Sequence, residues 1–170
     1  MIEDTYEYLL AKRLLKPQIA KRSGASYFTH VEQGLRILRQ IEASEWAQRA
    51  YCLHPLCQDT DYFITNFKEL GLCNPYALML AVEYRWVANN STRQSLADTA
   101  KPIQLSQFNE VNQMLIADKV QNRFAFLNTP AFDVQRDHDW QELNQYFNKW
   151  MSALSISDKD YGDLCRILIE

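Results

Sequence analysis

Glycine and proline are scarce in this chain, with four and five of them in 170 residues. Sandwiches, barrels and disordered tracts spend turn residues more freely, so the scarcity argues against all three and leaves helices. No apolar run approaches the roughly 18 residues that a membrane span needs. The opening Met1-Ile2-Glu3-Asp4 also lacks the basic start and apolar stretch of a signal peptide. The expectation is a cytoplasmic protein with no membrane partner. The four cysteines, at 52, 57, 73 and 165, lack CxxC spacing. They read as buried thiols in a reducing compartment rather than metal ligands or disulfides. Internal repeats, low-complexity blocks and long linkers are missing too, so nothing divides the chain.

What is present suits one domain over 1–170. A composition that is 47% apolar and 23% charged can bury a real core, and everything periodic in it is helical. Tyr6, Leu9, Leu10, Leu14 and Leu15 form a first stripe that ends near Pro17, and 21–26 reads as a loop. Val31, Leu35, Leu38 and Ile41 predict a helix from Phe28 to Ile41. Ser44 caps a third, with Trp46, Ala47, Ala50, Leu53, His54 and Cys57 turned inward. A helix from Pro75 to Val87 follows, broken at Asn89-Asn90-Ser91. The stretch 93–104 is polar and ambiguous, with Pro102 excluding an uninterrupted helix. A long helix from Ser106 to Phe126 then carries Phe108, Val111, Leu115, Asp118 and Asn122 on or near one face. Asp139 to Leu154 and Asp158 to Ile169 close the chain, each opening on acids that suit the helix dipole. The reading is an all-α domain of about seven helices.

The net charge of −3 hides an asymmetry. From Leu9 to Gln40, Lys12, Arg13, Lys16, Lys21, Arg22, Arg36 and Arg39 stand against Glu32 alone, whereas Asp133 to Glu170 holds eight acids and four bases. A basic third attracts phosphates or an acidic partner, and it equally suits a solvated helix face. The acidic balance of the whole chain, with a pI near 5.6, and the lack of a base-reading motif point away from extended nucleic acid.

Chemistry is worth seeking where polar residues interrupt apolar stripes. Two of the three histidines, His30 and His54, take inward or near-inward positions on consecutive helices. Asp118 interrupts the stripe of the long helix, and Asn122 lies one turn further on the same face. A buried carboxylate must be paired or hold a metal. Two imidazoles and one carboxylate suit a divalent ion, although each residue taken alone also reads as a hydrogen-bonded core or surface group.

Three segments resemble a known family. Lys21-Arg22-Ser23-Gly24-Ala25-Ser26-Tyr27-Phe28-Thr29-His30 is similar to the R-K-S-G-x-P-Y-x-x-H segment of RelA/SpoT-type guanosine tetraphosphate hydrolases, members of the all-α HD superfamily. Leu53-His54-Pro55-Leu56-Cys57-Gln58-Asp59-Thr60 resembles their L-H-D-x-x-E-D-T motif, and Leu115-Ile116-Ala117-Asp118-Lys119-Val120-Gln121-Asn122 their K-L-A-D-R-x-x-N motif. The likeness runs from Lys21 to Asn122 in family order, with the two histidines 24 residues apart. It implies an HD-like fold in which His30, His54 and Asp118 hold a divalent metal, typically manganese. It also implies a nucleotide site of Lys21, Arg22, Tyr27 and Asn122, with Lys21 in place of the arginine that packs on guanine, Tyr27 bordering the first histidine and Asn122 near the ribose.

Two positions depart from that pattern. The aspartate of H-D, a fourth metal ligand in the family, is replaced by Pro55. The glutamate of the E-D pair that orients the attacking water is replaced by Gln58, leaving Asp59. An amide cannot accept a proton near neutral pH, so general-base assistance of about 100 to 10,000-fold is lost unless Asp59 supplies it. Pro55 removes a helix hydrogen bond to residue 51 and pushes His54 away from helical geometry, turning its side chain from the site. The metal is then expected to be weakly held or absent. The expectation is a pseudo-hydrolase that binds a nucleotide or a protein partner. The alternative is a metal-dependent phosphohydrolase acting on a purine nucleotide, with Asp59 orienting water.

Overall fold

Side chains that satisfy the first free N–H groups of a helix mark most of the starts in this chain. A computed structural model describes residues 1–19, 26–92, 102–128 and 138–169. After a 3-10 turn at Ile2–Asp4, Thr5 caps α1 (Tyr6–Leu15), Ser26 caps α2 (Tyr27–Gln40) and Ser44 caps α3 (Glu45–Gln58). Asp59 caps the short α4 (Thr60–Thr65), which leads through α5 (Phe67–Leu70) to α6 (Pro75–Asn90), capped by Asn74 with Pro75 in its first turn. The longest helix is α7 (Asn109–Asn128), followed by α8 (His138–Ala153) and α9 (Asp158–Ile169). Ser157 and Asp160 close a reciprocal cap at α9: Asp160 N donates to Ser157 Oγ at 3.1 Å and Ser157 N to Asp160 Oδ2 at 3.2 Å. Among the described residues there is no strand, only an isolated bridge between Ile19 and Ser26. The chain is an all-α single domain.

The core is organised around α3. Ala47, Ala50, Leu53, Leu56 and Cys57 are wholly buried, and the helix packs most extensively along α6 while also touching α1, α2 and α7. In turn α7 lies against α2, α3, α6, α8 and α9. The junction of α2, α3 and α7 is therefore enclosed on most sides, and His54 and Asp118 there are buried. A second buried polar contact ties α1 to the same frame. The Glu7 carboxylate accepts from Arg49 Nε at 3.1 Å and from Asn74 N at 2.7 Å, so its charge is paired and hydrogen-bonded as burial requires.

Some faces differ from those expected. Tyr6 and Leu9 are 39% and 51% exposed, while Glu7, Tyr8 and Ala11 turn inward. The Glu7 contacts set that rotation, and a hydrophobic stripe cannot register a buried acid. Trp46 is also a surface residue, edge-on to Tyr76 at 5.6 Å with the Arg49 guanidinium 5.1 Å from its ring centre. Phe108 precedes α7 and is exposed, because Ser106 Oγ accepts from Phe108 N at 3.1 Å before the helix begins. The helix from Pro75 continues through Asn89 to Asn90. No apolar stripe announced α4, and it buries no residue. All four cysteines are buried and free, as expected. The segment 21–25 and most of 93–104 lie outside the described residues. No helix among the described residues is long and apolar enough to cross a membrane.

Candidate metal centre

Three helices each contribute one donor to a single point. His30 from α2, His54 from α3 and Asp118 from α7 offer ligand atoms that all lie within 4.8 Å of one another. His30 Nε2 stands 3.1 Å from His54 Nε2 and 3.3 Å from Asp118 Oδ1, and His54 Nε2 stands 3.6 Å from the same oxygen. Donors that share an ion at about 2.1 Å are roughly 3 to 3.4 Å apart, so the spacing suits a common cation. The displacement of His54 expected from Pro55 does not occur. The helix runs through Pro55 to Gln58 and His54 is buried in the cluster.

The protons of both imidazoles point away from the cluster. His54 Nδ1 lies 2.6 Å from the Tyr51 carbonyl oxygen, which can only accept, so Nδ1 carries the proton and Nε2 the lone pair. His30 Nδ1 lies 2.5 Å from Gln121 Oε1, and the amide nitrogen of Gln121 donates to Gln33 Oε1 at 2.8 Å. With Gln121 so oriented, His30 Nε2 also carries a lone pair toward the centre. Outer partners of this kind orient metal-binding histidines and choose their tautomer. Two lone pairs and a carboxylate oxygen then converge, with Asn122 Nδ2 donating to that oxygen and the Tyr51 hydroxyl 3.5 Å from His30 Nε2, a donor set that suits a cation.

Charge around the centre is arranged asymmetrically. Burial alone would raise the pKa of Asp118, but opposite charge beside it, the Lys119 ammonium first, holds the carboxyl well below its usual range. Lys119 Nζ sits 2.8 Å from Asp118 Oδ2 and 4.9 Å from the centre of the Trp150 ring. Burial opposes its charge, yet Asp118 and Tyr146 leave its pKa raised. Asn122 Nδ2 donates to Asp118 Oδ1 at 2.8 Å. One carboxylate oxygen is thus neutralised by lysine and the other is turned to the histidines. Burial pushes the His54 pKa down, against the pull of Asp118, which keeps the imidazole in the neutral form that a metal requires. Burial first, and then the nearby Asp118 carboxylate, raise the pKa of the buried Tyr84 hydroxyl.

Of the residues singled out from sequence, His30, His54, Asp118 and Asn122 come together. Gln58 ends α3 half-buried, and Asp59 is exposed with its Oδ1 accepting from Tyr62 N at 2.9 Å to cap α4. Asp59 does not belong to the donor cluster. Tyr27, one turn before His30, is 45% exposed. Lys21 and Arg22 lie outside the described residues. Arg13 and Arg39 of the basic third are paired with Glu69 and Glu3 on the surface. Sequence reasoning passed over Gln121, Gln33, Tyr51 and Lys119. Gln121 follows Asp118 by three residues, a spacing that already puts both on one helix face, but a lysine beside an aspartate reads as solvated. No family model matches the chain, nor does any curated protein or solved structure at a significant level.

Proposed function

We propose that this chain is an HD-like domain that holds one divalent metal ion and binds the phosphates of a nucleotide without hydrolysing them. The observation that carries the reading is the convergence of His30 Nε2, His54 Nε2 and Asp118 Oδ1 with both Nδ1 protons tied outward. Two imidazoles and a carboxylate accept several divalent ions, and manganese is the one the family resemblance implies. When bound, such an ion supplies a Lewis acid and a template for phosphate oxygens.

The chain's own groups fit binding better than turnover. Pro55 supplies no carboxylate, and the Gln58 amide takes no proton near neutral pH. The Asp59 carboxylate is engaged as a helix cap. Lys119 occupies the second oxygen of Asp118, so that oxygen is not free to take a proton from water. His30 is the partly exposed member of the triad and marks the open side. The exposed Tyr27 ring one turn away offers a face for a base, and the family resemblance implies Lys21 and Arg22, outside the described residues, as cations for phosphate.

The test is manganese titration of chelator-stripped protein, followed by guanosine nucleotide binding and turnover. One ion per chain is expected, lost in His54→Ala and Asp118→Asn. Nucleotide affinity should require the ion, and guanosine tetraphosphate should be consumed no faster than by His54→Ala. The absence of a stoichiometric ion would overturn the metal centre, and turnover clearly above that control would replace the binding role with a phosphohydrolase.

A further inference from the structure

An α-helix pairs the N–H of each residue with the carbonyl four residues earlier. The residue at 55 would satisfy the Tyr51 carbonyl, but proline has no N–H. The helix nevertheless runs unbroken from Glu45 to Gln58 with Pro55 inside it. That leaves Tyr51 O without its regular donor in a wholly buried part of the core, where an unpaired carbonyl is costly. His54 Nδ1 supplies the missing donor from 2.6 Å. This imidazole is 1% exposed, so water does not compete for either group.

We infer that Pro55 is a positioning residue for the metal centre: by withholding a helix N–H it reserves the Tyr51 carbonyl for His54 Nδ1–H and so presents His54 Nε2 as the ligand atom. The inference rests on the metal-binding reading above for its purpose, though not for its geometry. A neutral imidazole has one N–H. Tying it to a backbone carbonyl leaves the lone pair on Nε2, which is the atom 3.1 Å from His30 Nε2 and 3.6 Å from Asp118 Oδ1. Any other residue at 55 returns a donor to Tyr51 O. The His54 proton then shares that oxygen or moves to Nε2, where it points at Asp118 and blocks the ligand position. The proline that removes a carboxylate from the family pattern therefore selects the tautomer of the histidine beside it.

The experiment compares wild type with Pro55→Ala. Alanine is the best helix former, so the variant keeps its fold, which circular dichroism checks. Long-range proton–nitrogen NMR of metal-free protein reads the His54 tautomer, and manganese titration reads affinity. Wild type should show the proton on Nδ1. In Pro55→Ala a measurable share should move to Nε2, and manganese affinity should fall about 10 to 100-fold, the usual effect of losing an outer partner, with thermal stability equal or higher. An unchanged tautomer overturns the inference even if affinity falls, because the loss then has a merely structural origin. Should wild type bind no manganese, a tautomer shift in Pro55→Ala would still sustain the positioning role while the metal reading fails. No shift would sink both.

Discussion

Gly34 and Tyr51 are in contact so close that no side chain fits between them. A Cβ on Gly34 would stand 2.1 Å from the Tyr51 hydroxyl oxygen and 2.2 Å from two ring carbons. Tyr51 is wholly buried, with its ring centre 4.3 Å from that of His54 and 6.0 Å from that of His30. The glycine thus lets α2 approach α3 closely enough for the two histidines to meet.

Gly34→Ala is therefore expected to destabilise the protein. Alanine gains about 1 kcal/mol as a helix former, but a rigid buried ring cannot retreat, and overpacking of this kind costs about 1–3 kcal/mol or more. Urea unfolding should show a net loss, recovered in part when Tyr51→Leu removes the opposing ring. A Gly34→Ala protein at least as stable as wild type would show that the ring has room to move.

Lys119→Met should be among the most damaging single changes when metal is absent. It leaves the Asp118 carboxylate buried without its cation, a loss of about 3–5 kcal/mol for a broken buried pair. Methionine retains much of the contact with Trp150. Thermal melts in chelator should show the loss, and added manganese should recover more stability in the variant than in wild type. Equal melting of the two proteins in chelator would remove Lys119 as the charge partner.

Asp59→Ala separates a capping role from a catalytic one. Loss of the Asp59–Tyr62 bond should cost about 1 kcal/mol, and Asp59→Ser, which retains a capping oxygen, should restore it. Manganese affinity should be the same in all three proteins. If Asp59→Ala weakens metal or nucleotide binding as strongly as Asp118→Asn does, the residue belongs to the site after all.

The thiols should be inert in the native state. Burial pushes the Cys57 and Cys73 thiols up to about 12 and raises Cys52 and Cys165 as well. A raised thiol pKa means less thiolate at pH 8, and the thiolate is the nucleophile. An aromatic disulfide reagent should release almost no chromophore within minutes at that pH, then four equivalents in denaturant. Rapid native labelling would contradict the burial.

Local chemistry was enough to mark the long helices and several of their ends, though not the short α4 and α5. The Ser44 cap, Pro75 in a first turn and the 3.6-residue periodicity involve residues close in the chain, so they can be read one segment at a time. The same locality explains the candidate triad, because His30, His54 and Asp118 are polar residues at otherwise apolar helical positions. It also explains the misread faces of Tyr6 and Leu9, whose orientation depends on a buried Glu7 meeting Arg49 and Asn74 from elsewhere in the fold.

Pro55 shows most clearly what a single segment withholds. A proline in a helix interior costs about 3 kcal/mol, which by itself argues for a displaced His54. Burial of one leucine contributes about 1.5–3 kcal/mol, and α3 buries Leu53 and Leu56 completely, with Tyr51, Cys52 and Cys57 around them. Packing on several sides outweighs the local penalty, and His54 satisfies the carbonyl the proline leaves open. By itself, then, the sequence determined the all-α class, the course of the long helices and the identity of the triad, because these depend on neighbours along the chain. Only the tertiary structure decided which imidazole nitrogen faces the centre and which carboxylate oxygen Lys119 holds, because those choices depend on hydrogen-bond partners and charges brought together across the fold.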